Sequence, residues 1–232
     1  MVLESGIEQL RIILSVLMLG YATYSDLKNR EINDFLWIVF AGISVALIFF
    51  TPNMTTFLTT VGIALIISPI AILIWRFGFF GGADAFGLIV LAALAPEFSI
   101  STGWITPFTT LTNSAILSVI PILFNVLRNL TALAKHENIF KGFENETKHN
   151  KLIALFLGYR AKNPKFSFPL EKLDGSSKKF DFSLKNADDA EFCSTEDIWV
   201  TPGIPYMIYI TFGFIIQLVY GDIIFNMLRA SH

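Results

Sequence analysis

Charge is the scarcest property of this sequence. Only 16% of its 232 residues are Asp, Glu, Lys or Arg, where a soluble domain carries about 25%. Between Phe35 and Leu127 the charged residues are Arg76, Asp84 and Glu97 alone. Cysteine is nearly absent too, and a single Cys193 excludes a disulfide framework and a Cys-rich zinc site. His136, His149 and His232 lie far apart in the chain, so no metal and no cofactor are expected. There is no excess of positive charge either. A net charge of -2 and a pI near 5.9 argue against a nucleic-acid surface.

What the sequence does have is apolar length. It is 53% hydrophobic with 23 Phe, and its mean hydropathy is +0.59. One soluble core could not hide that much apolar surface, so the chain reads as a polytopic membrane protein. Spanning hydrocarbon takes about 20 apolar residues. Runs at 7–24, 35–52, 57–75, 83–95, 109–127 and 204–228 predict six transmembrane helices, the fourth of them short. The start, MVLESGIEQLRI, has two Glu before its first Arg and lacks a small-residue cleavage pattern, so it reads as a retained helix.

Residues 135–199, between the fifth and sixth runs, hold most of the charge. There KFSFPL and KKFDFSL alternate with period two (Phe180, Phe182, Leu184), and LDGSS supplies a turn between them. The expected architecture is all-α and membrane-embedded, with six helices and a small, partly β lobe between helices five and six. The division is 1–134 for helices one to five, 135–199 for the lobe and 200–232 for helix six. Lys and Arg set the orientation. Lys28, Arg30, Arg76 and the twelve from Arg128 to Lys185 all follow odd-numbered spans, which leaves Arg11 and Arg229 on the opposite side, near span ends where they can snorkel. The positive-inside rule then predicts a cytoplasmic lobe and both termini outside.

This topology brings Asp26, at the end of span one, and Asp84, at the start of span four, to the same cytoplasmic boundary. An acidic residue in an otherwise uncharged stretch is a functional hypothesis in its own right. Gly81 and Gly82, just before Asp84, favour irregular backbone and close approach of a substrate strand. Two carboxylates sharing a site cannot both ionise cheaply; one keeps a proton while the other acts as general base on a water. That chemistry suits hydrolysis of an amide without a covalent intermediate. Taken singly, Asp26 also fits an interfacial residue paired with Lys28 or Arg30, and Asp222 one paired with Arg229. Two other classes fit part of the pattern: a proton-coupled transporter using Asp84, and a membrane scaffold. The first lacks an internal repeat, and the second gives no reason for two aspartates on one side.

These residues resemble the prepilin and preflagellin signal peptidases, membrane aspartic proteases of the GxGD group. DLKNREIND at 26–34 is similar to that family's first-aspartate motif. GGAD at 81–84 stands in the place of its Gly-x-Gly-Asp, with Ala83 where the second glycine is found. TPGIPY at 201–206 is similar to the Pro- and Gly-containing stretch before the final helix. One cysteine and a short first loop make the chain look like the archaeal preflagellin type, without methyltransferase activity. The resemblance implies Asp26 and Asp84 as the catalytic pair and Gly81 and Gly82 as the loop that shapes their site. The implied substrate is a preflagellin or pilin-like precursor, whose short basic leader is removed at the cytoplasmic face. Asp188, Asp189, Glu191, Glu196 and Asp197 of the lobe are expected either to meet that leader or to form a solvated surface.

Overall fold

The computed structural model describes residues 2–96, 106–174, 177–183 and 191–230. It is mostly helical, with a small β region near the C-terminus. The chain divides into two compact units: Met1–Leu117 with Pro205–His232, and Ser118–Ile204.

The first unit begins with α1 (Val2–Asn29), which stops where Arg30 enters the left-handed region at φ 59°. Two shorter apolar helices follow, α2 (Phe35–Ile48) and α3 (Met54–Ala64), then α4 (Ile67–Arg76). The break between α3 and α4 traces to Pro69, which has no N–H to give the Leu65 carbonyl; Ser68 N–H takes that carbonyl at 2.9 Å. Helix α4 ends in a Schellman turn. Gly78 supplies the left-handed residue at φ 75°, its N–H reaches Trp75 O, and Phe79 N–H reaches Ile74 O. Then come α5 (Gly82–Leu94), α6 (Thr106–Leu117), α9 (Tyr206–Val219) and α10 (Ile223–Ala230). Helix α5 therefore borrows no residues from Phe77–Phe80; the alternative extension past Pro96 runs into 97–105, outside the described residues.

Among the described residues, three helical runs are long and apolar enough to cross a membrane: Gly6–Asn29, Met54–Arg76 and Thr106–Ala134. The pair α9 and α10, bent by 44° at Gly221, makes a fourth if it is one broken span. Helices α2 and α5 have 14 and 13 residues, about 20 Å at 1.5 Å per residue and short of a bilayer core of about 30 Å.

The core of this unit gathers Met18, Trp37, Leu88, Leu91, Met207 and Phe214 from α1, α2, α5 and α9. Helices α6 and α9 approach closely because Gly213 has no side chain; a Cβ there would lie 2.7 Å from Thr110 O. Polar bonds line this contact. Thr110 donates to Gln217 Oε1 at 2.7 Å, Asn113 Nδ2 donates to Gly213 O and Gly221 O, and Ile223 N–H donates to Asn113 Oδ1. Asp222 accepts from the Thr112 hydroxyl and from Phe225 N–H, so it serves as the start cap of α10.

Arg11 corrects the expectation of a snorkelling side chain. It is buried; Nη1 donates to Leu94 O at 2.9 Å, Nη2 to Thr51 Oγ1 at 3.1 Å, and the guanidinium lies 4.0 Å from the Phe57 ring centroid. A cation on the last carbonyls of α5 complements the helix dipole and satisfies an orphan acceptor. Ser44 takes a second terminal carbonyl, Ala93 O, at 2.7 Å.

The second unit contains α7 (Ile120–Ala134) and α8 (Lys148–Leu157). Its strands are β1 (Tyr159–Ala161), β2 (Ser167–Pro169), β3 (Glu171–Asp174), β4 (Ser177–Phe180) and β5 (Ile198–Pro202). They form a three-stranded antiparallel sheet in the order β1-β5-β2 and a separate β3-β4 hairpin. Trp199, on the central strand, is buried with Ile139, Phe143, Leu170 and Phe180, and its indole N–H donates to Ile139 O at 2.8 Å. The tip of the LDGSS turn and Leu184 lie outside the described residues, while Phe182 stacks on Phe180 with centroids 5.8 Å apart.

Candidate active site

Asp84 sits in the first turn of α5 and is 7% exposed. Gly81, in extended backbone at φ -78° and ψ 166°, donates its N–H to Asp84 Oδ2 at 2.9 Å, and Asp84 N–H returns a bond to Gly81 O at 3.2 Å. A carboxylate in a first turn is stabilised by the helix dipole, by about 0.3–1 kcal/mol. Gly82 is the first helical residue, and it is small for a packing reason. A Cβ there would stand 3.1 Å from the Trp75 indole.

Asp26 lies in the last turn of α1, half-buried, with Arg30 and, more weakly, the backbone amide of Met207 close enough to act on its carboxyl electrostatically. Met207 is the second residue of α9, so its N–H is one of the donors that a helix start leaves without an internal partner. Pro205, just before α9, has no N–H to add to them. The α1 to α9 contact is fixed one turn further along. Thr23 Oγ1 bonds to Met207 O at 3.3 Å and to Thr211 Oγ1 at 2.7 Å, and Thr211 reaches Leu19 O at 3.2 Å.

The start of α9 lies near both aspartate-bearing helices. The Met207 amide is close to Asp26, while its Cε packs at Gly87, three residues after Asp84 on the same face of α5. A Cβ on Gly87 would lie 3.2 Å from Met207 Cε and 3.3 Å from the Trp37 ring. The Tyr206 ring packs on Phe80, just ahead of Gly81, with centroids 5.3 Å apart. Through these contacts Tyr206 and Met207, at the start of α9, meet Phe80 beside GGAD and Gly87 of α5 within the first unit.

Sequence reasoning missed Met207, Gly87, Trp37 and Trp75. Gly87 carried a signal, a glycine inside a short apolar helix that costs helix propensity unless packing requires it. Met207 looked like one more apolar residue of the last span, and only the structure shows its side chain packed at Gly87. Of the acidic residues of 135–199, Asp188 and Asp189 lie outside the described residues. Glu191 and Glu196 are exposed, and Asp197 is committed to Arg160, with Nε to Oδ1 at 2.7 Å and Nη2 to Oδ2 at 2.8 Å. That fork holds the Asp197 carboxyl below the usual carboxylate range. No group of three or more His, Cys, Asp or Glu suited to a metal occurs among the described residues.

Two family models match the chain. Residues 13–123 match the type IV leader peptidase family, and residues 134–223 match the archaeal peptidase A24 C-terminus, type II. The chain belongs to the type IV leader peptidase family. Curated relatives agree over nearly its whole length. The preflagellin peptidase of Methanococcus maripaludis is 28% identical over 232 aligned positions, 93% of this chain and 97% of the relative. That of Methanocaldococcus jannaschii is 27% identical, covering 87% of this chain and 89% of its own. That of Methanococcus voltae is 26% identical, at 93% and 97%. A membrane peptidase is the identity that the family and the apolar helices support together.

Proposed function

We propose that this protein is an aspartic endopeptidase of the cell membrane that removes the short basic leader from preflagellin or pilin-like precursors at the cytoplasmic face. Asp26 and Asp84 are its catalytic pair. The carboxylate of the pair takes a proton from a water whose oxygen bonds to the scissile carbonyl carbon. The carboxylic acid of the pair polarises that carbonyl and then gives its proton to the departing amide nitrogen as the C–N bond breaks. The proton belongs to the pair rather than to either residue. Gly81 and Gly82 keep the approach to Asp84 open for an extended substrate strand, whose following hydrophobic helix lies in the bilayer.

In this reading the chain crosses the membrane six times, with α2 and α5 as short spans, both termini outside and residues 135–199 in the cytoplasm. The asymmetry of Lys and Arg supports that orientation. The observation that carries the proposal is the buried Asp84 in the first turn of α5, with Met207, whose amide lies near Asp26, packed on the same face of that helix. The preflagellin peptidase relatives support the substrate class.

The test is cleavage of a preflagellin-type peptide by purified Asp26→Asn and Asp84→Asn variants. Each loses cleavage while inserting and eluting like the wild type; full activity in either removes that residue from the mechanism.

A further inference from the structure

Within the second unit, α8 carries an apolar face that the unit does not cover. Leu152, Phe156 and Leu157 are all exposed, although Ala154 and Leu155 on the other side of the helix pack inward. What lies against that face follows from how α8 is tied to α7. Asn125 Nδ2 donates to Phe156 O at 3.1 Å, and Asn129 Nδ2 donates to Leu155 O at 2.9 Å and to Gly158 O at 2.7 Å. Both asparagines are buried, and together they satisfy the carbonyls that the C-terminal end of α8 would otherwise leave open. The exposed end of α8 is therefore level with Asn125 and Asn129 of α7. At that level α7 exposes Phe124, Leu127 and Leu130, and α7 belongs to the run Thr106–Ala134, long and apolar enough to cross a membrane. Three hydrogen bonds thus hold two exposed apolar surfaces at one level.

Charge points the same way. Neither α7 nor α8 carries an Asp or Glu, and their ionisable groups are Arg128, Lys148, His149 and Lys151. The Arg128 guanidinium lies 3.7 Å from the Tyr159 ring centroid, directly after the Asn129–Gly158 bond. A cation over an amphipathic ring is the pattern of a membrane–water boundary. The contrast lies in the same unit. Leu173 is 76% exposed but sits on the β3-β4 hairpin among Glu171, Lys172, Lys178 and Asp181, where Lys172 pairs with Asp181 and Lys178 with Glu171.

We propose that α8 is an in-plane membrane helix, its Leu152, Phe156 and Leu157 seated in the leaflet from which α7 emerges, with anionic headgroups at Lys148, His149 and Lys151. The occupant of the apolar face is lipid. The second unit is then anchored to the bilayer by its own surface as well as by the chain that enters it. This inference requires only that α7 spans the membrane and is independent of the catalytic reading.

The experiment places nitroxide labels, one at a time, at Lys148, Leu152, Phe156, Leu157 and Leu173 in the full chain carrying Cys193→Ser. The protein is reconstituted without substrate in vesicles of phosphatidylcholine with phosphatidylglycerol. Labels at 152, 156 and 157 are expected to collide several-fold more with oxygen than with a water-soluble nickel complex, and labels at 148 and 173 to show the reverse. Hydroxyl-radical footprinting of the unlabelled protein in the same vesicles gives a second readout, with Phe156 and Leu157 protected and Leu173 oxidised. Nickel access at 156 equal to that at 173 overturns the proposal. Dipolar broadening between singly labelled chains at 156 also overturns it, because the occupant is then a second copy.

Discussion

The Met207 side chain packs at Gly87 on the face of α5 that carries Asp84, and the backbone amide of the same methionine lies close enough to Asp26 to act on its carboxyl. One residue of α9 therefore stands beside the helices of two aspartates that are far apart in the chain, its backbone near Asp26 and its thioether on the helix of Asp84. Proline at 205 and the loss of helix beyond it decide where α9 begins, so they also decide where that amide lies.

The glycines of the site are a packing requirement, which yields a prediction. Gly82→Ala puts a methyl 3.1 Å from the Trp75 indole, tighter than most carbon contacts, so Trp75 or the start of α5 must give by a few tenths of an ångström at the residue next but one to Asp84. Cleavage of a preflagellin-type peptide is expected to fall about tenfold or more, since misplacement by about 1 Å costs up to about 100-fold. Adding Trp75→Phe should return part of it. Equal activity in Gly82→Ala and wild type removes the packing argument.

Gly87→Ala meets the far end of a flexible methionine on one side and the Trp37 ring on the other. The methionine can swing and the indole cannot. Gly87→Ala is expected to lower activity less than Gly82→Ala does, and Gly87→Val to abolish it. Cleavage assays on the three variants, matched for monodispersity, read the order.

Arg11 holds the far end of α5. Arg11→Met leaves Leu94 O and Thr51 Oγ1 without their donor, and a buried acceptor left unmade costs about 1–3 kcal/mol. Arg11→Lys keeps the charge but loses the fork and the stack on Phe57. Thermal midpoints in detergent should therefore rank wild type above Lys and Lys above Met. A Met variant as stable as wild type would show that α5 needs no cap at Leu94.

Acid should loosen the second unit. Although burial opposes its ionisation, Glu146 is held below the usual carboxylate range by N–H donors of Phe180, Asn150 and Thr147. A carboxyl with a depressed folded-state pKa contributes stability above its unfolded value, about 4.3, and that contribution is lost as pH falls through the lower folded value. Asp197 on Arg160 adds in the same direction, weakly because it is exposed. Unfolding followed near pH 7 and near pH 3 should show a drop that Glu146→Gln reduces, with the variant already less stable at pH 7. An unchanged pH dependence in Glu146→Gln contradicts this account.

Much of this arrangement was legible in the sequence, for physical reasons. Scarcity of charge marked the membrane segments and singled out Asp84. The alternating runs found the strands only in part, since Phe168 lies in β2 and Phe180 in β4 while Phe166, at φ 49°, and Phe182 lie outside them. Other features were not legible. Strand β5 escaped notice because IWVTP runs straight into the Pro- and Gly-containing stretch before α9, although Trp199 is the centre of its unit's core. Pro69 and Pro121 stood in plain view, yet only the structure shows them breaking apolar runs into α3 with α4 and α6 with α7. Arg11 looked like a span-end cation because nothing local reveals that Leu94 O and Thr51, distant in sequence, lie beside it in space.

The central claim is that Asp26 and Asp84 act as one unit in hydrolysis. The direct measurement is a cycle of rates on one preflagellin-type peptide: wild type, Asp26→Asn, Asp84→Asn and the double variant, all verified as inserted and monodisperse. Each single variant should lose at least about 1,000-fold, and the double variant should lose no more than the worse single one, because groups that act together are not additive. Losses that multiply in the double variant, or a single variant that keeps substantial activity, would contradict a shared two-carboxylate mechanism.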